Sequence, residues 1–325
     1  MYKNHTIAIL YNQVTPDSPI DVLDIEIQAK WIEEILQSKG YRTLLVPFSL
    51  ENLIMLSSLH KKNPVLVFNL VDSAPHEENL AFLVPGLLSH MNLPFTGCSL
   101  DNLYITTNKI LTKRILKAHG VDTPPWVSEQ EAQALENTSI TRFIIKPTSE
   151  DASIGLDENS IVARDRVLNE LSNKQQLLGS SYFAEAFIEG REFTTHMYGS
   201  REKVTLLTPY EWIFNGYEEE KKEKIITYDA KWTEKSFGYD HITPRYKAVD
   251  EDIPLLEKLV SITKKCWNIF NLYGYARVDF RIDKEGKPWV LEVNCNPSFY
   301  GFYHLAQEDG LKFEDIVEQI VEQVK

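Results

Sequence analysis

Cysteine is scarce in this sequence: the three residues present are Cys98, Cys266 and Cys295, far apart and without CxxC spacing. An odd, scattered set provides neither a disulfide framework nor a structural zinc site, and it indicates a reducing compartment. Long hydrophobic runs are missing too. The apolar run near the amino terminus has five residues, too short for a signal peptide, and no run could span a membrane. We therefore expect a cytoplasmic protein with no membrane partner.

Positive charge is in deficit, because 34 lysines and arginines face 47 acidic residues and give a net charge of −13. Nucleic-acid-binding proteins usually present a net positive surface, so we expect no nucleic-acid partner. A small anionic ligand held by a few local lysines stays compatible with this charge. The sequence also lacks GxxxxGK[ST] and GxGxxG, which disfavours the two commonest nucleotide-binding folds.

The 325 residues are 43% hydrophobic, which is enough for the cores of two or three domains. Strand-like and helix-like segments alternate over residues 1–100, and this alternation predicts a parallel α/β sheet. From residue 101 the strands have the spacing of hairpins, which predicts an α+β unit over 101–195. The charged run EEEKKEK at 218–224 is expected to be a solvated face.

A hairpin near the carboxyl end carries polar residues at alternating positions. Arg277 and Asp279 are two residues apart on its first strand, and Glu292 and Asn294 are two apart on its second. Each pair therefore points to one side of its strand. If Asp279 pairs with Glu292 across the DKEG turn, all four side chains share one face of the sheet.

Such a face needs positive charge, because two carboxylates about 4 Å apart repel by roughly 4 kcal/mol at the effective dielectric of a protein. Arg277 can offset part of this repulsion. Oxygen atoms from Asp, Glu and Asn are also ligands of Mg²⁺, which they bind together with substrate phosphates. The hairpin alone is compatible with a metal and phosphate site or with an Arg–Asp–Glu salt-bridge network.

Three lysines stand in contexts that solubility does not require. Lys146 ends the apolar strand RFIIKP, Lys109 opens a helix, and Lys231 lies in the segment TYDAKW. The loop TSEDASIG after Lys146 contains Ser153 and suits a flexible flap whose backbone can approach phosphate. Each lysine alone could be an ordinary surface residue, but phosphoryl transfer needs several cations that converge with Mg²⁺.

The segment YFAEAFIEGREF suggests a binding site for a nucleotide base. Glu185 and Glu192 flank a bend, with Phe187 and Ile188 between them. The acids could accept hydrogen bonds from an adenine amino group or from ribose hydroxyls, while the apolar residues face the base. The alternative is a β-turn with solvent-exposed acids.

Taken together, the motifs resemble the ATP-grasp carboxylate–amine ligases, most closely the D-alanine–D-alanine ligase type. The resemblance rests on six blocks in the family's order: LPFTGCSLDNLYITTNKILTKRILKAHGVDTPPW, FIIKPTSEDASIG, YFAEAFIEGREFT, YDAKW, YARVDF and LEVNCNPS. It implies the ATP-grasp fold, of class α/β plus α+β with three domains. These would be an open parallel α/β domain over 1–100, a small α+β lobe over 101–187 and a catalytic α+β lobe over 188–325, the two lobes clasping ATP.

The resemblance also implies roles for individual residues. The nucleotide-binding set would be Lys109, Lys146 and Lys231 for the phosphates, Glu185, Phe187 and Ile188 for adenine, and Glu192 for ribose. The metal ligands would be Asp279, Glu292 and Asn294, holding two Mg²⁺ ions, with Mn²⁺ as a possible substitute. The catalytic residues would be Arg277, Lys231 and Ser153.

The implied reaction is amide-bond formation between a carboxylate and an amine through an acyl phosphate, with release of ADP and phosphate. Around the amino acids the sequence departs from the family, with Ala152 in place of a serine and SFYGFYH where the family has GMT. The residue that anchors the first amino group is left open, the candidates being Asp21, Asp24, Glu77 and Glu78. Aromatic residues after Pro297 could shape a pocket or pack in the core.

We therefore expect small-molecule substrates, amino acids other than two D-alanines. The alternatives are a true D-alanine–D-alanine ligase and a nucleotide-binding regulator without chemistry. A homodimer is suggested by analogy.

Overall fold

A computed structural model describes residues 6–50, 59, 66–72, 80–128, 131, 135–136, 138–149, 153–178, 181–247 and 249–324. The first of three sheets is parallel, with strand order β2–β1–β3. Its elements are β1 (Thr6–Asn12), α1 (Ile20–Ser38), β2 (Arg42–Phe48), β3 (Leu66–Asn69) and α2 (Leu83–His90). Because strand side chains alternate, Ile7 and Ile9 pack with α1, while Ala8 and Leu10 pack on the face of α2. The predicted parallel α/β sheet is confirmed.

Two helices lead from this sheet into a four-stranded antiparallel sheet of order β4–β7–β5–β6. The elements are α3 (Leu100–Thr107), α4 (Lys109–Ala118), β4 (Trp126–Ser128), β5 (Arg142–Pro147), β6 (Ile161–Ala163), α5 (Val167–Leu178) and β7 (Tyr182–Ala186). Ser99 caps α3 in a capping box, and Asn108 caps α4 by accepting the backbone N–H of Leu111. The cap of Asn108 therefore fixes the start of α4 at Lys109.

The third sheet is antiparallel, with order β11–β10–β8–β12–β13 and with β9 paired to β8. Its strands are β8 (Arg191–Gly199), β9 (Val204–Leu206), β10 (Tyr210–Phe214), β11 (Ile242–Arg245), β12 (Gly274–Ile282) and β13 (Pro288–Asn294). The helices are α6 (Tyr228–Trp232), α7 (Phe237–His241), α8 (Ile253–Ile269), α9 (Phe299–Glu308) and α10 (Phe313–Glu322). Helix α8 covers the apolar face of the sheet through Leu259 and Trp267, which pack with Phe193 and Val278. The opposite, polar face of this sheet is available for a functional site.

The register predicted for the hairpin β12–β13 is confirmed, since Arg277 lies opposite Asn294 and Asp279 lies opposite Glu292. The register shifts by one residue next to Asp279, so that β13 contains one extra residue, Leu291, in a β-bulge. Continued from the turn without this bulge, the pairing would set Leu291 against Asp279. The bulge therefore brings the two carboxylates face to face.

Candidate active site

A cavity of about 560 Å³ lies where the three sheets meet. All but one of the predicted site residues line it, and the list is Lys146, Ser153, Glu185, Phe187, Ile188, Glu192, Lys231, Arg277, Asp279, Glu292 and Asn294. Lys109 is buried beside the cavity, with its Nζ 3.8 Å from Glu292 Oε2. Residues that are far apart in the sequence therefore converge on one site, as the sequence predicts.

Four side chains of the hairpin form a compact charged cluster on the cavity wall. Arg277 Nε donates to Asp279 Oδ2 at 3.0 Å, and its Nη2 donates to Glu292 Oε1 at 3.2 Å. Asn294 Oδ1 accepts the backbone N–H of Asn296 at 2.7 Å, which fixes the amide next to the carboxylates. The hairpin thus presents two carboxylates and an amide oxygen side by side.

The two carboxylates titrate very differently. Burial and the adjacent Glu292 raise the pKa of Asp279 to about 7, although Arg277 acts in the opposite direction. Burial also acts to raise the pKa of Glu292, but the charges of Lys109 and Arg277 hold that pKa well below its usual value. The pKa values of two close carboxylates separate in this way when one of the two has too little positive charge beside it. A further cation would relieve the repulsion.

The oxygen set fits a divalent cation that is shared with phosphates. Mg²⁺ usually binds one or two carboxylates together with substrate phosphates, and Asp279, Glu292 and Asn294 supply such a set. Within the described part of the chain, no group of three His, Cys, Asp or Glu side chains could hold a metal on its own.

Two lysine ammonium groups bind Glu185, which lines the cavity together with Lys146. Lys146 Nζ donates to Glu185 Oε1 at 2.7 Å, and Lys113 forms an ion pair with the other oxygen of Glu185. Lys113 is fully buried and also donates to Thr123 Oγ1 at 2.7 Å. Burial lowers the pKa of Lys113 to about 8, although Glu185 opposes this shift. Because both oxygens of Glu185 bind lysines, its side chain holds these cations in addition to any contact with a base.

Lys231 reaches the cavity from the short helix α6, whose start is capped by Thr227 through the N–H of Ala230. Burial and the nearby Arg277 lower the pKa of Lys231. Ser153 lies at the rim in a left-handed conformation with φ of 64°. The ammonium of Lys231 therefore lies near the carboxylates of Glu292 and Asp279, while Ser153 lines the same cavity.

The remaining predicted nucleotide residues form one end of the cavity. Glu192 Oε2 is 2.9 Å from Arg281 Nη2, and Arg281 Nη1 donates to the carbonyl of Gly190 at 3.1 Å. A side chain at Gly190 would overlap the carbonyl of Ile282, because a Cβ would lie 1.8 Å from that oxygen. This close approach explains the glycine between Ile188 and Glu192.

Among the amino-group anchors considered from the sequence, Asp24 lines the cavity and accepts a hydrogen bond from Gln28 Nε2 at 2.7 Å. Glu77, Glu78 and the side chain of Asp21 lie outside the described residues. The aromatic run after Pro297 divides by burial. Phe299 and Phe302 pack in the core, whereas Tyr300 is 39% exposed and lines the cavity.

Sequence reasoning missed several polar residues of the site: Lys113, Thr194, His196 and Arg281. Lys113 follows Lys109 by four residues and so shares its face of α4, a signal that was available. Thr194 and His196 join the site only because β8 lies between β10 and β12. His196 is buried, and burial together with the charge of Arg277 holds its pKa well below the usual value.

The chain is similar in sequence to known ligases. The profile of the D-Ala D-Ala ligase C-terminus matches residues 115–322. The chain is 28% identical to the D-alanine–D-alanine ligase of Carboxydothermus hydrogenoformans over 299 residues, which cover 88% of each chain. It is 27% identical to the D-alanine–D-alanine ligase of Novosphingobium aromaticivorans over 327 residues, covering 97% of this chain and 95% of that one.

Solved structures share the fold at low sequence identity. The D-alanine–D-alanine ligase of Bacillus anthracis complexed with ATP superposes with a TM-score of 0.72 at 18% identity, covering 98% of this chain and 97% of that one. The VanG D-Ala:D-Ser ligase of Enterococcus faecalis gives a TM-score of 0.72 at 15% identity and covers 99% of both chains.

The family match and the fold identify the chain as an ATP-grasp enzyme, an ATP-dependent, ADP-forming carboxylate–amine ligase. The predicted class and fold are confirmed. The chain belongs to the family defined by the carboxyl-terminal region of D-alanine–D-alanine ligases. In the described residues no helix is both long and apolar enough to cross a membrane. The roles of single residues and the domain boundaries at 100 and 187 stay predictions.

Proposed function

We propose that this ligase joins the carboxylate of one amino acid to the amine of another through an acyl phosphate, with ATP converted to ADP and phosphate. The main support is one cavity in which Arg277 contacts the carboxylates of Asp279 and Glu292. Lys231 and Lys146 line the same cavity. Phosphoryl transfer depends on positioning and on neutralisation of charge, and this cavity supplies several cations together with a cation-binding oxygen set.

The side chains divide the work by position. Lys109 and Lys146 are proposed to bind the ATP phosphates, Lys231 the γ-phosphate, and Arg277 the acyl phosphate and the oxyanion of the tetrahedral intermediate. Bound Mg²⁺, or Mn²⁺ in its place, would neutralise phosphate charge next to Asp279, Glu292 and Asn294. At the other end of the cavity, Glu185, Phe187, Ile188 and Glu192 are proposed to hold adenine and ribose.

For the amino acids, we propose Asp24 as the anchor of the first amino group, next to Tyr300. Asp24 lies on α1 at the cavity, and its hydrogen bonds with Gln28 and Tyr300 hold the carboxylate in place. Ser153 would orient the substrate from the rim. The substrates are small molecules, a cytoplasmic location remains our inference, and a homodimer is suggested by analogy alone.

The curated relatives are named D-alanine–D-alanine ligases, and one structural neighbour is named a D-Ala:D-Ser ligase. Two D-alanines are therefore the leading alternative pair. The aromatic Tyr300 at the cavity supports a different amino acid. A screen of amino-acid pairs for phosphate release, followed by mass analysis of the product, decides this point. Strict dependence on D-alanine would establish the alternative.

The decisive variant is Glu292→Gln, which keeps the shape of the side chain but removes a charge that the metal and Lys109 require. We expect ADP formation to fall at least 100-fold, by analogy with the loss of a single charge-stabilising group, with little change in Tm. Glu285→Gln, in the exposed turn of the same hairpin, is the matched control. Unchanged turnover of Glu292→Gln would contradict the metal assignment. If the wild-type protein binds ATP but forms no ADP with any amino-acid pair, the regulator is favoured instead.

A further inference from the structure

A chain of two hydrogen bonds runs from the indole of Trp212 to the carboxylate of Asp279. Trp212 Nε1 lies 3.2 Å from Thr194 Oγ1, and Thr194 Oγ1 lies 2.8 Å from Asp279 Oδ1. Thr194 is 2% exposed and sits on β8, directly opposite Asp279 of β12. The geometry follows from strand order, because β8 separates the strand of Trp212 from that of Asp279.

The direction of both bonds is fixed by chemistry. An indole N–H can only donate, so Thr194 Oγ1 must accept the bond from Trp212. The single hydroxyl proton of Thr194 is then directed to Asp279 Oδ1. The other oxygen of Asp279, Oδ2, lies 3.0 Å from Arg277 Nε and 2.8 Å from Arg277 Nη2. Asp279 is therefore held from two sides, and its rotation about the side-chain bonds is restricted.

We propose that Thr194 is a positioning residue for Asp279, and that Trp212 orients the Thr194 hydroxyl so that Asp279 presents its free lone pairs to the divalent cation. This inference rests on the proposed metal site. Hydrogen bonds that orient metal-binding carboxylates typically change metal affinity 10- to 100-fold when they are removed. Packing alone does not require a hydroxyl at this buried position, since valine has the same shape.

The test measures metal binding directly. Mn²⁺ affinity is determined by electron paramagnetic resonance of the full-length chain with β,γ-methylene-ATP present. We expect Thr194→Val to weaken Mn²⁺ binding about 10- to 100-fold, and Thr194→Ser, which keeps the hydroxyl, to restore most of the affinity. Trp212→Phe should weaken binding by a smaller factor, because the hydroxyl stays but loses its orientation.

The matched control is Trp289→Phe, which removes an indole hydrogen bond to Asp283 at 2.8 Å, away from the cavity. It should leave Mn²⁺ affinity unchanged. In the Thr194→Val background, Trp212→Phe should add nothing, because the chain is already broken. Should Thr194→Val fail to fold, the comparison of Trp212→Phe with Trp289→Phe still tests the proposal.

The outcomes separate the two levels of inference. Wild-type affinity in Thr194→Val, equal losses in Trp212→Phe and Trp289→Phe, or additive losses in the double variant would overturn the positioning role. No Mn²⁺ binding by the wild-type chain with the nucleotide analogue would instead contradict the metal site of the proposed function.

Discussion

Lys113 is a charged side chain buried completely inside the enzyme, and its environment explains how it is tolerated. An unpaired buried ammonium would cost several kcal/mol, but Glu185 and Thr123 both bind this one. Glu185 is shared with Lys146, so two positive charges face one negative charge. We infer that Lys113 compensates Glu185, and that the charge of Lys146 therefore stays available to a phosphate.

The depressed pKa of Lys113 has a consequence for stability. In the folded chain this pKa is about 8, compared with the ordinary 10.5 expected after unfolding. Between these values the unfolded chain binds more protons than the folded chain, so stability from this group rises with pH. We expect the Tm of the wild type, relative to Lys113→Met, to increase by a few degrees from pH 8 to 10.5.

Differential scanning fluorimetry at half-unit pH intervals measures this difference. Lys117→Met, on the exposed side of α4, controls for the general loss of a lysine. A difference between wild type and Lys113→Met that is constant from pH 8 to 10.5 would mean that burial does not depress the pKa of Lys113.

At the scale of elements, helix α9 joins the core to the cavity. Phe299 and Phe302 are buried on one side, and Phe299 N donates to Gln28 Oε1 at 2.8 Å, which ties the helix start to α1. Gly301 lies against the ring of His196, and a Cβ at this position would be 2.4 Å from His196 Nε2. The glycine therefore permits the close approach of α9 to β8.

Gly301→Ala is expected to destabilise the protein even though alanine favours helices. The gain in helix propensity is about 1 kcal/mol, whereas overpacking against a buried ring costs about 1–3 kcal/mol. We expect a lower Tm and a higher KM for the amino acids, since His196 and Gly301 both line the cavity.

Gly86→Ala is the matched helical control. There the Cβ would meet the terminal methyl of Leu100, a side chain that is 41% exposed and can move. We expect its Tm to be equal to or above that of the wild type. Equal Tm changes for Gly86→Ala and Gly301→Ala would contradict the packing argument.

The contrast between Asp279 and Thr194 shows what the sequence can and cannot predict. Alternation along each strand predicted which side chains share a face, and the pairing of Asp279 with Glu292 that was considered from the sequence is the one in the structure. The bulge at Leu291 that makes this pairing possible has no local signal. Thr194 reaches Asp279 only through the order of strands in the sheet, which depends on long-range packing. Local patterns therefore predict the hairpin and its polar side chains but miss the neighbours that contact them.

At the scale of the whole molecule, the segment 215–228 connects the two antiparallel sheets across the cavity. Lys222 forms an ion pair with Glu158, Glu223 forms one with Arg142, and Tyr228 N donates to Leu156 O at 3.2 Å. The charged run at 218–224 was expected to be a solvated face, and this holds for its first residues. Its last three residues are half-buried, and two of them bridge the lobes. We infer that these bridges favour the closed cavity.

Glu223→Gln removes the ion pair with Arg142 and should therefore shift the lobes toward an open arrangement. Exposed ion pairs contribute about 0.2–1 kcal/mol, so we expect the KM for ATP to rise by at most about fivefold, with kcat less affected. The matched control is Glu218→Gln, because Glu218 pairs with Lys224 inside the same segment. Salt screens such pairs, so the difference between the two variants should shrink as NaCl is raised from 0.05 to about 0.5 M. An equal KM for both variants at low salt would show that the Arg142–Glu223 pair does not hold the lobes together.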